Sequence, residues 1–313
     1  MNRRYLITGG AGNLARQLVR LLDEPGAHVS LFDRVDPGLH GSNIESVAGD
    51  IGDAAGLRAL FERVRPTHVL HMASLLSGSS EQDRRSAWKV NAGASFELLE
   101  LSREFEVGQF FFPSTSLTYG GQLPDPVPED LPQWPENLYG ATKVAVERLG
   151  AYYCARHGLD FRSFRMPLVI SRHAPPAATT AFASHAFIAA LAKGSFKFPV
   201  TLEATISTIY VKDVLRGMKT FIDAPAQRLS RRVYNLHSLS LSAGQLAAIL
   251  ERHVPGFQHE FAPDPLIMRL ARDWPARFDD AAARRDWNWN PTFDLERMTV
   301  DFLDEIRRSI DAS

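Results

Sequence analysis

The chain has 313 residues, a formal net charge of −1 and 45% hydrophobic residues, enough for a large core in one big domain or one domain plus a small lobe. The balanced charge gives no footprint for nucleic acid or an anionic membrane surface. No apolar run nears the ~20 residues of a membrane span, and a lone cysteine, Cys154, excludes an internal disulfide.

The first segment, YLITGGAGNLA (5–15), runs from an apolar strand through glycines into the helix NLARQLVRLL (13–22). Gly9 permits a tight turn, and Gly12 removes a side chain where backbone must approach a phosphate. Asn13 and Leu14 open the helix, whose free N–H groups favour a pyrophosphate. Ala15 is small enough for the helix to pack on the strand. The next strand, HVSLFD (28–33), ends in Asp33. A carboxylate there can accept both hydroxyls of an adenosine ribose and repels a 2′-phosphate, which favours NAD over NADP. Arg34 beside it weakens that preference, since an arginine can welcome the phosphate.

Strand and helix then alternate. A short strand ends in VAGDI (47–51), a helix follows at 54–64, and THVLHMAS (67–74) is the next strand. Helix 86–105, strand QFFFPSTS (109–116), helix 138–157 and strand 160–170 complete the series. The nearly continuous apolar strands predict a parallel sheet covered on both faces, a Rossmann-like, doubly wound α/β fold. Asp33, Asp50, Ser74, Thr115 and Pro167 all fall at C-terminal strand ends, where such sheets gather their sites. After 170 the pattern changes. A loop rich in proline and small residues (171–182) leads to helix 181–193, strand 205–211, helix 212–223, strand 232–237 and helix 242–253. Helical segments near 265–273, 279–286 and 294–310 end the chain. The reading is a dinucleotide-binding domain over 1–170 and, over 171–313, mostly a small substrate-binding lobe interleaved with the sheet. The strand and helix at 205–223 are the segments placed to rejoin the large domain.

Tyr139 and Lys143, in LYGATKVAVERL (138–149), share one helix face at i, i+4. A phenol titrates near ~10, and a fixed cation beside it is expected to lower that value. Such a tyrosine can take a proton from an alcohol while a hydride leaves the same carbon. The histidines are scattered without paired cysteines or carboxylates at ligand spacing, so no metal site is expected. His68 and His71 face opposite sides of their strand, and Ser114 and Ser116 lie on the face opposite Thr115.

Together, TGGAGNLA, Asp33, GDI (49–51), HMAS (71–74), PSTSLTYG (113–120) and YGATK (139–143) resemble the extended short-chain dehydrogenase/reductase superfamily. Within it, 71–91, 153–171 and the tail 273–303 are similar to the L-threonine 3-dehydrogenases of the short-chain type. The resemblance implies Tyr139 as catalytic base, Lys143 as holder of the nicotinamide ribose and Thr115 as hydrogen-bond partner of the substrate oxygen. It implies Gly9, Gly12, Asn13 and Leu14 along the pyrophosphate, and Asp50 and Ile51 beside the adenine. Met72, Ala73, Ser74, Asn91 and Pro167 would lie along the rest of the cofactor. Ser77, Thr179, Thr180 and Trp274 would touch substrate.

Several positions depart from that pattern. Ala177 and Ala178 replace a glycine pair, Ala181 and Phe182 replace Asp and Tyr, and Ser207–Ile209 differ. Ala181 thus stands where an acid could offset an ammonium. The resemblance implies NAD-dependent oxidation of a secondary alcohol on a small hydroxy or amino acid, foremost L-threonine to 2-amino-3-ketobutyrate. A sugar-nucleotide or sugar-acid epimerase or dehydrogenase and a non-catalytic NAD(H)-binding regulator are the alternatives. It also implies a homodimer through helices 86–105 and 138–157, with Ala145, Leu149, Tyr152 and Tyr153 of the second available outside the catalytic face. A cytoplasmic location is expected, because the chain enters a strand at once.

Overall fold

A computed structural model describes residues 3–174, 181–271 and 274–311. Strands β1 (Arg4–Thr8), β2 (His28–Asp33), β3 (Ile44–Ala48), β4 (His68–His71), β5 (Gln109–Thr115), β6 (Asp160–Met166) and β10 (Val233–Asn235) form one sheet. Its order is β10-β6-β5-β4-β1-β2-β3, with every pair parallel. The order reverses between β1 and β4. A crevice opens there beyond the C-terminal strand ends, the place where doubly wound sheets bind ligands.

Helices α1 (Asn13–Leu22) and α8 (Val211–Asp223) pack side by side over one apolar layer. On the other face, α2 (Ala54–Val64), α5 (Ala94–Glu104) and α6 (Leu138–His157) cover a second layer built on Leu6, Val69, Phe110, Phe112 and Phe161. The central strands β1, β4 and β5 are largely apolar because both sides of the sheet are covered there.

The rest of the chain builds the lobe. Strands β7 (Leu168–Ile170), β9 (Thr205–Tyr210) and β11 (Leu239–Ser242) form a mixed three-stranded sheet, and β8 (Ser195–Phe198) pairs with β12 (Gln258–Phe261). Helices α7 (Phe182–Lys193), α9 (Ala243–His253) and α12 (Leu295–Asp311) pack against one another, and α10 (Pro265–Ala271) and α11 (Ala281–Trp287) complete the set. β10 returns to the large sheet and α8 lies against α1, whereas β9, the strand foreseen at 205–211 to rejoin the large domain, stays in the three-stranded sheet.

Four further expectations are corrected. The strand foreseen at 160–170 is two strands in two sheets, because Pro167 has no N–H for the ladder and the chain leaves β5 for β9 there. The helix foreseen at 86–105 is α4 (Arg84–Trp88), one π-helical turn (Lys89–Gly93) and α5. The strand foreseen to end at 51 ends at Ala48. Tyr153, counted as free for an interface, is only 2% exposed. Its hydroxyl donates to Glu100 and its ring packs inside the second apolar layer.

Candidate active site

The glycine turn is built for close approach. Gly9 has φ +70°, and a Cβ there would lie 2.6 Å from the Ala73 nitrogen, so only glycine fits. The turn thus seats the end of β1 against the 72–74 segment after β4. Gly12 caps α1 without any side-chain hydrogen bond. The first N–H groups of this ten-residue helix are left for a ligand, and the helix dipole favours an anion there. Asp33 holds the far edge of the turn. Its Oδ2 accepts from the Ala11 N–H (3.2 Å) and its Oδ1 from that of Val35 (3.2 Å).

Helix α6 brings the reacting pair. Asn137 caps it by accepting from the Gly140 N–H at 2.7 Å. Gly140 is forced by crowding, since a Cβ would sit 2.1 Å from the Leu117 carbonyl oxygen. This fit locks Tyr139 beside the turn that follows Thr115. The Thr115 side chain accepts from the Leu117 N–H (3.3 Å), holding that turn in shape. Lys143 is buried, donates to the Pro113 carbonyl at 2.9 Å and stands 4.2 Å from the centre of the Phe112 ring and 5.4 Å from that of Tyr139.

These groups line one cleft of about 470 Å³. Gly9, Gly12, Asn13, Leu14, Met72, Ser74, Thr115, Tyr139, Lys143, Pro167 and Trp274, all foreseen, meet there. Asp33, Arg34, Asp50, Ile51, Ala73, Asn91 and Ser77 do not line it. Asp33 sits at the end of the turn, and Ala73 lies under Gly9. Arg34 is exposed at the tip of β2. Asp50 is exposed and accepts from the Gly52 N–H (2.8 Å), while Ile51 packs on the second apolar layer. Ser77 begins the short helix α3 (Ser77–Gln82).

Asn91 is a clamp. Its Oδ1 accepts from the Leu75 N–H (2.8 Å) and its Nδ2 donates to the Leu75 carbonyl (2.9 Å), which fixes the loop carrying Ser74. Thr179, Thr180, Ala177 and Ala178 lie outside the described residues. Ala181 is buried at the start of α7 and does not line the cleft, while Phe182 stacks on Trp274 with ring centres 5.8 Å apart.

Tyr119, Met166, Leu168, His173 and Ser207, which the sequence did not assign to the site, also line the cleft, as do Ser114 and Ser116, expected on the face opposite Thr115. Glu147 was passed over too, although the four-residue step from Tyr139 to Lys143 continues onto it.

The electrostatics correct one expectation. Tyr139 is not lowered. Burial pushes its phenol up to about 12, with the Ser74 hydroxyl pulling weakly the other way. Burial also drives Lys143 down to about 7, opposed by the Glu147 carboxylate. Loss of water dominates both shifts.

The glycine turn, the uncapped helix and the Tyr–Lys pair on one crevice define a dinucleotide-dependent oxidoreductase of the short-chain type. This chain belongs to the NAD dependent epimerase/dehydratase family, whose model matches residues 5–236. It is 35% identical over 308 residues to the mitochondrial L-threonine 3-dehydrogenase of Sus scrofa, covering 96% of this chain and 82% of the relative. An uncharacterized epimerase/dehydratase of Staphylococcus haemolyticus is 30% identical over 95% of both chains. The crystal structure of L-threonine dehydrogenase from Phytophthora infestans superposes with a TM-score of 0.89 at 34% identity, covering 98% of this chain and 99% of that one.

Proposed function

We propose that this dehydrogenase oxidises the secondary alcohol of a small hydroxy or amino acid with NAD, foremost L-threonine to 2-amino-3-ketobutyrate. The observation that carries the reading is the convergence of Thr115, Tyr139 and Lys143 on the cleft that also holds the glycine turn. The similarity to L-threonine dehydrogenases along nearly the whole chain supports it.

The residues present fit a dinucleotide. Gly9, Gly12, Asn13 and Leu14 would hold the pyrophosphate, Asp33 the adenosine ribose and Lys143 the nicotinamide ribose. Bound NAD supplies the hydride acceptor and a positive charge in the cleft. Thr115 would hold the substrate hydroxyl by a hydrogen bond, and Tyr139 would take its proton. The apolar walls given by Leu14, Met72, Met166, Leu168 and Trp274 would keep water out.

Size and charge favour a small substrate. Among the described residues, Lys143 and His173 are the basic groups lining the cleft, and no arginine, aspartate or glutamate lines it. Beyond the helix N-terminus given to the NAD pyrophosphate, a second nucleoside diphosphate would ask for more cations than that, because burying its charges unpaired is costly. Serine and threonine hydroxyls instead offer neutral partners for a small carboxylate.

The test is NADH formation over L-threonine, L-serine, 3-hydroxybutyrate, erythronate and UDP-sugars. The highest kcat/KM is expected on L-threonine or another small β-hydroxy acid. Turnover confined to UDP-sugars would give the site to a sugar-nucleotide enzyme instead.

A further inference from the structure

One buried charged cluster has no part in the chemistry above. Glu147 and Arg165 are 1% and 4% exposed and lie directly behind the reacting groups. Glu147 follows Lys143 by one helical turn and Tyr139 by two, on the same face of α6. Its Oε1 accepts from the Ser114 hydroxyl at 2.5 Å and from Arg165 Nε at 3.1 Å. Its Oε2 accepts from Gln133 Nε2 at 2.9 Å and from an Arg165 terminal nitrogen at 2.8 Å. The other arm of Arg165 donates to the hydroxyl of Tyr119, a cleft residue, at 2.5 Å. Ser114 precedes Thr115, and Arg165 lies two residues before Pro167. One carboxylate therefore ties together the three segments that carry Thr115, the Tyr139–Lys143 pair and Pro167.

Cross-linking alone does not call for charge. Apolar residues in place of a buried ion pair are often as stable or more so. The group that needs an anion is Lys143. Glu147 and Tyr139 face it from its own helix. From β5 it meets only the Pro113 carbonyl and the Phe112 ring. From β4 it meets His71, which burial holds neutral with its pKa down at about 3. Behind Glu147, β6 contributes Arg165, which pairs with that carboxylate.

We propose that Glu147 is a positioning residue for Lys143: its carboxylate, held one helical turn away by Ser114, Gln133 and Arg165, favours the ammonium form of the lysine in the cleft. The proposal rests on the reading of Lys143 as the cation that holds the nicotinamide ribose. It is supported by the direction of the lysine's titration, which burial lowers to about 7 even with Glu147 raising it. Without that carboxylate burial would lower the lysine further.

The experiment is NADH binding, followed by fluorescence between pH 6 and 9, which needs no substrate. Wild type should lose affinity as pH rises through the lysine's midpoint, and Lys143→Met should abolish this pH dependence. Glu147→Gln should move the midpoint down by about one pH unit or more, weakening NADH about tenfold at pH 7.5. Glu147→Gln alone leaves Arg165 buried and unpaired, so Glu147→Gln/Arg165→Met is the second variant. It should recover the Tm while the midpoint stays low.

A wild-type midpoint in the double variant would overturn the proposal and leave the pair a purely structural cross-link. So would a pH dependence that survives Lys143→Met. Absence of NADH binding to the wild type would instead overturn the dinucleotide reading, and the proposal with it.

Discussion

Tyr139 is raised to about 12 and Lys143 lowered to about 7 by the same cause, loss of water around both. Tyr139→Phe removes the proton acceptor with little change of shape. Turnover should fall ~10²-fold or more while NAD affinity stays nearly unchanged. Steady-state kinetics beside a binding titration check both halves, and most activity surviving would refute the role of the phenol. Lys143 also leaves a mark on stability. Its folded pKa lies below the unfolded value of 10.5, so below pH ~7 both states carry the charge and the folded state bears the full cost of burying it. Between about 7 and 10.5 the unfolded chain binds more protons, so stability rises with pH across that window. Lys143→Met should accordingly raise Tm, by about 5 °C at pH 6 and by progressively less toward pH 10. Thermal melts across pH read this directly, and a Tm difference independent of pH would contradict the burial account.

Among the elements, those with a strong period were legible. Helix α1, strand β2 and helices α2 and α6 begin and end where the apolar spacing and the caps put them. What escaped was set by tertiary contact. The lobe strands β8 and β11 carry four residues each, of mixed polarity, too few for a period. The π-helical turn at Lys89–Gly93 leaves no mark in hydrophobic spacing, yet it carries the Asn91 clamp. At the site, the motif residues were legible because one chemistry fixes their spacing. Beyond Trp274 the lobe side was not, because Ile206, Ser207 and His173 come from separate segments that only folding brings to one wall. Gly140 stands between these cases: its neighbour Tyr139 was legible, but its own necessity is a contact with Leu117. Gly140→Ala should displace the 116–118 turn or the start of α6. We expect a Tm lower by several degrees and a fall in kcat larger than the change in KM, since the turn carries Thr115. Wild-type kcat in a folded Gly140→Ala protein would show that this packing does not position the reacting groups.

For the whole molecule, the resemblance implies a two-fold pairing through α5 and α6, and the surface of those helices supports it as a proposal. Trp88, Phe96 and Tyr152 are 57%, 46% and 52% exposed. Phe96 and Tyr152 both touch the ring of buried Tyr153, at 6.5 and 5.5 Å between centres, so they form one patch and not scattered side chains. Tyr153 itself is spent on Glu100 within the chain, and its role is to brace that patch from behind. A contiguous aromatic patch on two adjacent helices is what an isologous contact needs, each copy presenting the same surface to the other. Aromatic side chains at the centre of such a contact carry much of its energy. Sedimentation velocity at micromolar concentration should therefore give a dimer. Phe96→Glu with Tyr152→Glu should give a monomer with unchanged secondary structure, because neither ring is needed inside the fold. The residues given to the dinucleotide all come from one chain, so this monomer should still bind NADH. A wild-type monomer, or a dimer that survives both charges, would move the interface elsewhere or remove it.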